Sequence, residues 1–184
     1  ILLLHNYNYC SSTTSHISGL PIIFNYAPAT YGYEPQNWGA SQDSRGIMYF
    51  ANTEGILEYD GVSWRVIRLP KGETCRALHR SSDGTVYVAG FNEIGKLQLN
   101  SSGNAEYHSL KSKIPAQSNN FSDVWLIAEL NGKIYFSTYD RIFVYDGNTF
   151  TVINSLRNIV SMRTINGSLV ILRKDEQPRT LSGS

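Results

Sequence analysis

Four histidines and two cysteines are the residues of this chain best suited to nucleophilic or metal chemistry, and their spacing argues against both. His5, His16, His79 and His108 form no His-x-x-x-His pair, and Cys10 and Cys75 form no Cys-x-x-Cys, the spacings that bring two ligands to one metal ion. Cys75 and His79 are the nearest approach to a nucleophile and its base. They lie four residues apart in a stretch that reads as a strand, which places them on one face. A Cys-His pair also needs a third group to orient the imidazole, and none is indicated. The reading is a semi-buried thiol beside an exposed imidazole, with no catalytic residue. Cys10 sits in a polar tail and Cys75 in the strand, so two free thiols are expected rather than a disulfide.

Asp43, Asp60, Asp83 and Asp146 are the other chemical candidates, for carboxylate catalysis or calcium binding. Their recurrence at turns points to a structural role, because an Asp side chain accepts hydrogen bonds from the backbone of its own turn. Gly-x-Ser-x-Gly and phosphate-cradling glycine loops are absent. No metal site and no cofactor are expected. Asn100-Ser101-Ser102, Asn120-Phe121-Ser122 and Asn166-Gly167-Ser168 fit the glycosylation acceptor pattern, which a Ser- and Asn-rich chain produces by chance.

The elements that position these residues emerge from an internal repeat. Gly46-Ile47-Met48-Tyr49-Phe50-Ala51-Asn52-Thr53, followed by Gly55-Ile56-Leu57-Glu58-Tyr59-Asp60-Gly61 and Trp64-Arg65-Val66-Ile67, returns as Gly132-Lys133-Ile134-Tyr135-Phe136-Ser137-Thr138, followed by Ile142-Phe143-Val144-Tyr145-Asp146-Gly147 and Phe150-Thr151-Val152-Ile153. Gly61 and Gly147 are 86 residues apart, which is two units of 43, and a propeller blade takes about 40 to 50 residues. The unit between them is present as Asp83-Gly84-Thr85-Val86-Tyr87-Val88-Ala89-Gly90 with Gly95-Lys96-Leu97-Gln98-Leu99. A fourth copy begins at Asn166-Gly167-Ser168-Leu169-Val170-Ile171-Leu172 and lacks everything after its second strand.

Asp-Gly and Asn-Gly steps supply the positive φ of tight hairpins. Arg45-Gly46, Asp83-Gly84, Asn131-Gly132 and Asn166-Gly167 are expected to join first and second strands. Asp60-Gly61, Ser102-Gly103 and Asp146-Gly147 are expected to join third and fourth strands. The second strands are apolar at consecutive positions, the mark of burial on both faces, as in a blade stacked between neighbours. The chain is therefore read as all-β, built from four-stranded antiparallel blades of about 43 residues as an incomplete propeller. Expected strands are 37–42, 47–52, 56–59 and 63–69, then 75–81, 85–90, 95–99 and 105–109, then 123–130, 133–138, 141–145 and 149–154, then 158–165 and 168–173. The domain plan is a tail at 1–18 and a partial propeller at 19–184, with blades at about 37–69, 75–109, 123–154 and an incomplete 158–184.

Composition agrees: 12 Tyr, 7 Phe, 3 Trp and 15 Gly suit short strands and tight turns. A net charge of +1 gives no whole-molecule field to draw nucleic acid or an anionic membrane. No apolar run approaches the roughly 20 residues of a membrane helix. Ile1-Leu2-Leu3-Leu4 reads either as the remnant of a secretory signal or as a disordered end. Gly19-Leu20-Pro21-Ile22-Ile23-Phe24-Asn25-Tyr26 reads either as an outer strand closing the last blade or as a strand against the rim of the first.

The stretch from Gln42 to Phe50 with Glu54 to Gly61 resembles the two-component regulator propeller repeat, and Gly19-Leu20-Pro21-Ile22 with Asn25-Tyr26 and Asn37-Trp38 resembles the start of such sensor regions. The likeness runs from about Gly19 to Leu172. It implies a non-catalytic periplasmic sensor propeller of a bacterial, Bacteroidetes-like signalling protein, followed in that family by a smaller β-sandwich module, a membrane helix and a cytoplasmic output. It would be held to the inner membrane by sequence further downstream. An interaction scaffold that binds another protein is the alternative, and a lyase or glycan-acting propeller has least support.

A ligand site would lie where first strands enter the channel of the propeller. Counting back eight or nine positions from each hairpin glycine gives Asn37, Trp38, Arg76, Asp123 and Asn158, and Trp125 follows with a stacking face for a sugar ring. The partners expected are an oligosaccharide or other small ligand, a protein or a second copy of the chain, and not nucleic acid. Residues 111–121 form the longest inter-blade loop, and long loops on rigid scaffolds often carry binding.

Overall fold

The computed structural model describes residues 23–154, 156–174 and 176–181. Cys10 and the segment 1–22 lie outside the described residues, and with them the readings of Ile1 to Leu4 and of Gly19 to Ile22. After a one-turn helix, α1 (Pro28–Tyr31), fifteen strands follow in four units. The first blade is β1 (Asn37–Gln42), β2 (Met48–Asn52), β3 (Gly55–Tyr59) and β4 (Trp64–Ile67), and the second is β5 (Cys75–Arg80), β6 (Val86–Gly90), β7 (Glu93–Leu99) and β8 (Ala105–Ser109). The third is β9 (Leu126–Leu130), β10 (Lys133–Ser137), β11 (Ile142–Tyr145) and β12 (Phe150–Ile153), and the fourth is β13 (Ile159–Ile165), β14 (Ser168–Arg173) and β15 (Arg179–Leu181). Each blade is an antiparallel meander in which sequence neighbours pair, and the four make up an all-β, four-bladed propeller arrangement. The fourth blade has a third strand that the sequence reading did not expect, since Lys174 to Leu181 carries none of the repeat's Tyr-Asp-Gly signature.

The turns explain where the strands stop. Leu130 pairs with Lys133 and Ile165 with Ser168, so Asn131-Gly132 and Asn166-Gly167 are two-residue loops. All four residues have positive φ, between 48° and 71°, which Asn and Gly accept at least cost. The matching turns of the first two blades are longer, because Gln42 pairs with Met48 and Arg80 with Val86.

Packing between blades follows from strands that are apolar on both faces. Tyr49, Ala51, Ile56 and Ile67 of the first blade meet Cys75, Val86, Val88 and Leu97 of the second. Ala77, Tyr87, Ala89 and Ile94 meet Ile134, Phe136, Phe143 and Phe150 of the third. Ala128, Leu130, Tyr135, Ile142 and Val144 then meet Met162, Leu169 and Ile171 of the fourth. All of β6 is buried, as double-sided covering requires, whereas in β14 only Leu169 and Ile171 are buried, because one face of the last blade has no neighbour among the described residues.

The segment 111–121 is not the open binding loop its length suggested. It coils into two short 3-10 turns, Lys111–Lys113 and Ala116–Ser118, and sends Ile114 and Phe121 into the core between the second and third blades. The segment before the first blade forms no strand over its described residues. It lays Tyr26 and Tyr31 on the outer face of the first blade, against Trp64.

Candidate functional site

The inner strands β1, β5, β9 and β13 lie side by side in that order and wall a channel. Three of them carry an extra residue near their start. The register slips between Asn37 and Gly39, between Cys75 and Ala77, and between Ile159 and Ser161, leaving Trp38, Arg76 and Val160 as bulge residues. Trp125 holds the matching place just ahead of β9, its backbone N–H donating to the Ser137 carbonyl at 2.9 Å. A bulge re-aims one side chain out of the pleat. Trp38 and Arg76 at their bulges, with Trp125 ahead of β9, line a cavity of about 760 Å³, a size within the range of small-ligand sites.

The three side chains touch. The Arg76 guanidinium carbon lies 4.3 Å from the centre of the Trp38 ring and 4.7 Å from that of Trp125, within cation-π distance of both. The two indoles meet edge to face at 5.5 Å and 73°. Arg76 Nε donates to Asp123 Oδ1 at 2.8 Å, with the two side chains 20% and 23% exposed. Asp123 is placed by the crossing from the second blade to the third: it bridges to Phe91, and the neighbouring Val124 N–H donates to the Gly90 carbonyl. That crossing also delays β9, which starts at Leu126 rather than at 123.

Four of the six residues singled out from the sequence therefore converge at one mouth. The other two do something else. The Asn37 side-chain oxygen accepts from the buried Asn52 amide at 2.9 Å, anchoring the start of β1. Asn158 adopts φ 59° and its carbonyl accepts the Lys174 N–H, and the fourth blade's counterpart of Trp38 and Arg76 is Val160. Counting from the hairpin glycines missed Val160 because the turns of the third and fourth blades are shorter, which moves the equivalent position one residue closer to the glycine.

Along the cavity wall lie His79, Ser82, Glu129 and Arg163. Glu129 ties the second blade to the third: its carboxylate accepts the Ser82 N–H at 2.7 Å and the Ser82 hydroxyl. His79 Nε2 is 3.8 Å from Glu129, too far for a hydrogen bond, and has no partner among the described residues. Burial lowers the His79 pKa and outweighs the pull of Glu129, so the imidazole is neutral at pH 7.

The expected common face for Cys75 and His79 does not exist. The bulge at Arg76 reverses the alternation of β5, so Cys75 packs toward the first blade while His79 faces Glu129 on the third. Cys75 is fully buried, and burial pushes its thiol up to about 12, where it is no nucleophile near neutral pH. The turn aspartates act on backbone as their positions implied. Asp60 accepts from Val62 and Ser63 N–H, and Asp146 from Asn148 and Thr149 N–H, all within 2.8 Å. Asp83 takes the Thr85 N–H at 2.8 Å, and Asp43 takes those of Arg45 and Ile47. Among the described residues no helix is long and apolar enough to cross a membrane.

The chain matches no protein-family model and no curated protein. Its likeness is to solved propellers. The extracellular domain described as that of the hybrid two component system BT3049 from B. thetaiotaomicron is 15% identical with a TM-score of 0.59, over 80% of this chain and 20% of that one. Its counterpart from BT4673 of the same organism is 16% identical with a TM-score of 0.54, over 73% of this chain and 18% of that one. Virginiamycin B lyase from Staphylococcus aureus is 12% identical with a TM-score of 0.55, over 79% of this chain and 55% of that one. The chain thus spans about a fifth of the two-component extracellular domains and just over half of the lyase. At such identities the shared property is the fold, a propeller of four-stranded blades.

Proposed function

We propose that this chain is a non-catalytic, ligand-binding part of a sensor propeller that works in the periplasm, within a two-component-type signalling protein anchored in the inner membrane. The observation that carries the reading is the convergence of Trp38, Arg76, Asp123 and Trp125, from three successive blades, at the mouth of one cavity. Two half-exposed indoles offer apolar faces to a sugar or other flat ring, and an arginine between them supplies polar contacts. A ligand seated there touches the first, second and third blades at once, so it favours whichever relative placement of the blades suits it best. The resemblance of the repeat and the extracellular two-component domains among the structural neighbours support the cellular setting. The separation of Cys75 from His79 speaks against a thiol enzyme.

Thermal-shift screening against neutral and acidic oligosaccharides tests the reading. A specific ligand should raise Tm in proportion to the logarithm of its concentration, and Trp38→Ala together with Trp125→Ala should abolish the rise. A panel that leaves Tm unmoved would sink ligand sensing at this mouth and leave protein binding as the better account.

A further inference from the structure

Arg76 meets its carboxylate differently from Arg45, Arg65 and Arg141. Arg45, Arg65 and Arg141 each give both Nε and Nη2 to their carboxylate, Arg65 to the two oxygens of Glu58 as a bidentate pair, and Arg45 and Arg141 to the single Oδ2 of Asp43 and of Asp140. Arg45 and Arg65 then give a further N–H to a backbone carbonyl, of Gly103 and Ala105. Arg76 gives Asp123 its Nε alone, and its two Nη groups make no hydrogen bond among the described residues. Four N–H donors are thus left in a planar fork, in a side chain that is only 20% exposed.

The fork is also held still. Trp38 and Trp125 pack on the guanidinium, Asp123 fixes its Nε end, and the bulge in β5 aims it at the cavity. Arginine prearranged in this way loses little further freedom on binding, and its parallel N–H groups match a planar carboxylate with two bonds. The charges around it agree. Both carboxylates near the cavity are engaged, Asp123 on Arg76 and Glu129 on Ser82, whereas Arg163 on the same wall has no ion pair among the described residues.

We propose that the mouth recognises an acidic ring, of the uronic-acid type. The carboxylate sits on the Nη edge of Arg76 and the ring lies against the exposed indole surface of Trp38 or Trp125. This inference rests on the ligand-binding reading above and names the chemical class of its ligand.

Tryptophan fluorescence tests it with two probes that differ in charge and by one methyl group per ring: galacturonate tetramers and their methyl esters. In the unaltered protein the acid should bind at least tenfold more tightly than the ester, and added salt should narrow the gap, since an ion contact is screened. Arg76→Gln should bring the two within about twofold of each other, and Arg76→Lys, which keeps the charge without the fork, should fall between. Equal binding of acid and ester by the unaltered protein would overturn the carboxylate assignment while leaving the ligand-binding mouth in place. No fluorescence response to either would overturn both. The comparison in the unaltered protein stands even if an Arg76 variant does not fold.

Discussion

Asp60 and Asp146 show how little of this chain's acidic chemistry is free for other work. Both are exposed, and the backbone N–H groups of Ser63 and Val62, and of Thr149 and Asn148, hold their carboxyls below the usual range. The hydroxyl of Ser81 does the same for Asp83. A carboxylate whose folded pKa lies below its unfolded value of about 3.9 stabilises the fold above that pH and loses the contribution as pH falls through the folded value. His79 acts in a higher window with the same sign. Its folded pKa is lowered by burial, so stability declines as pH falls from about 6.5 toward the folded value. Melting followed from pH 8 to pH 3 should therefore fall in two steps. His79→Gln should remove the upper step, and Asp60→Asn with Asp146→Asn should shrink the lower one, since Asn keeps the turn's acceptor but does not titrate. An unchanged profile in these variants would mean that other groups carry the acid response. The turn role of the aspartates was legible from their place beside glycine. The surroundings of His79 were not, because they depend on Glu129, fifty residues away in another blade.

The inner strand with its bulge is the element that makes the site. Alternation along a regular strand predicts Cys75 and His79 on one face, and one inserted residue sends the thiol to the first blade and the imidazole toward the third. The blade repeat located the hairpins and most strand centres, because Asn-Gly, Asp-Gly and paired apolar strands are local signals. The bulges left no such trace: Asn37-Trp38-Gly39, Cys75-Arg76-Ala77 and Ile159-Val160-Ser161 share no residue type. Counting from the glycines still reached Trp38 and Arg76, since the equivalent position is set by the hairpin and not by composition. The bulge in β5 depends on close backbone packing at Gly90, which pairs with Cys75. A Cβ on Gly90 would run into the Thr74 carbonyl, a backbone atom that cannot swing aside. Gly90→Ala should therefore destabilise the chain by about 1 to 3 kcal/mol, read as a lower urea midpoint at unchanged m-value. It should also weaken the contact of Arg76 with Trp38 and Trp125, seen as altered tryptophan emission in the folded state. A variant as stable as the parent would show that the crossing at Thr74 is loose and that the bulge is held by other contacts.

At the scale of the whole molecule the four blades are alike in sequence and unlike in surroundings. The two middle blades are covered on both faces, and the first is covered outside by its own preceding segment, where Tyr26 packs on Tyr59 and Trp64 and Tyr31 is buried against Trp64. The fourth has no such cover among the described residues. Leu172 and Ile165 stand on its outer face, at 38% and 50% exposure. The counterparts of Leu172 in the first three blades are core: Ala51, Ala89 and Ser137 are all fully buried. Stacked blades with apolar faces are expected to expose them on the first and last blade unless a partner chain or a rearranged end covers them; among the described residues the last blade does so, and on the first the aromatic residues ahead of the repeat fold back as the cover. Apolar surface of this kind, gathered on one flat sheet face, binds amphiphilic dyes in a native protein. An anilinonaphthalene dye should therefore fluoresce with the folded chain under native conditions. Ile165→Lys with Leu172→Lys should remove most of that signal while leaving Tm within a few degrees, since neither side chain contributes to the core between the third and fourth blades. Trp38→Ala should leave the dye signal intact. Dye binding that disappeared with Trp38→Ala and persisted in the lysine variant would place the exposed apolar surface at the channel mouth and not on the last blade.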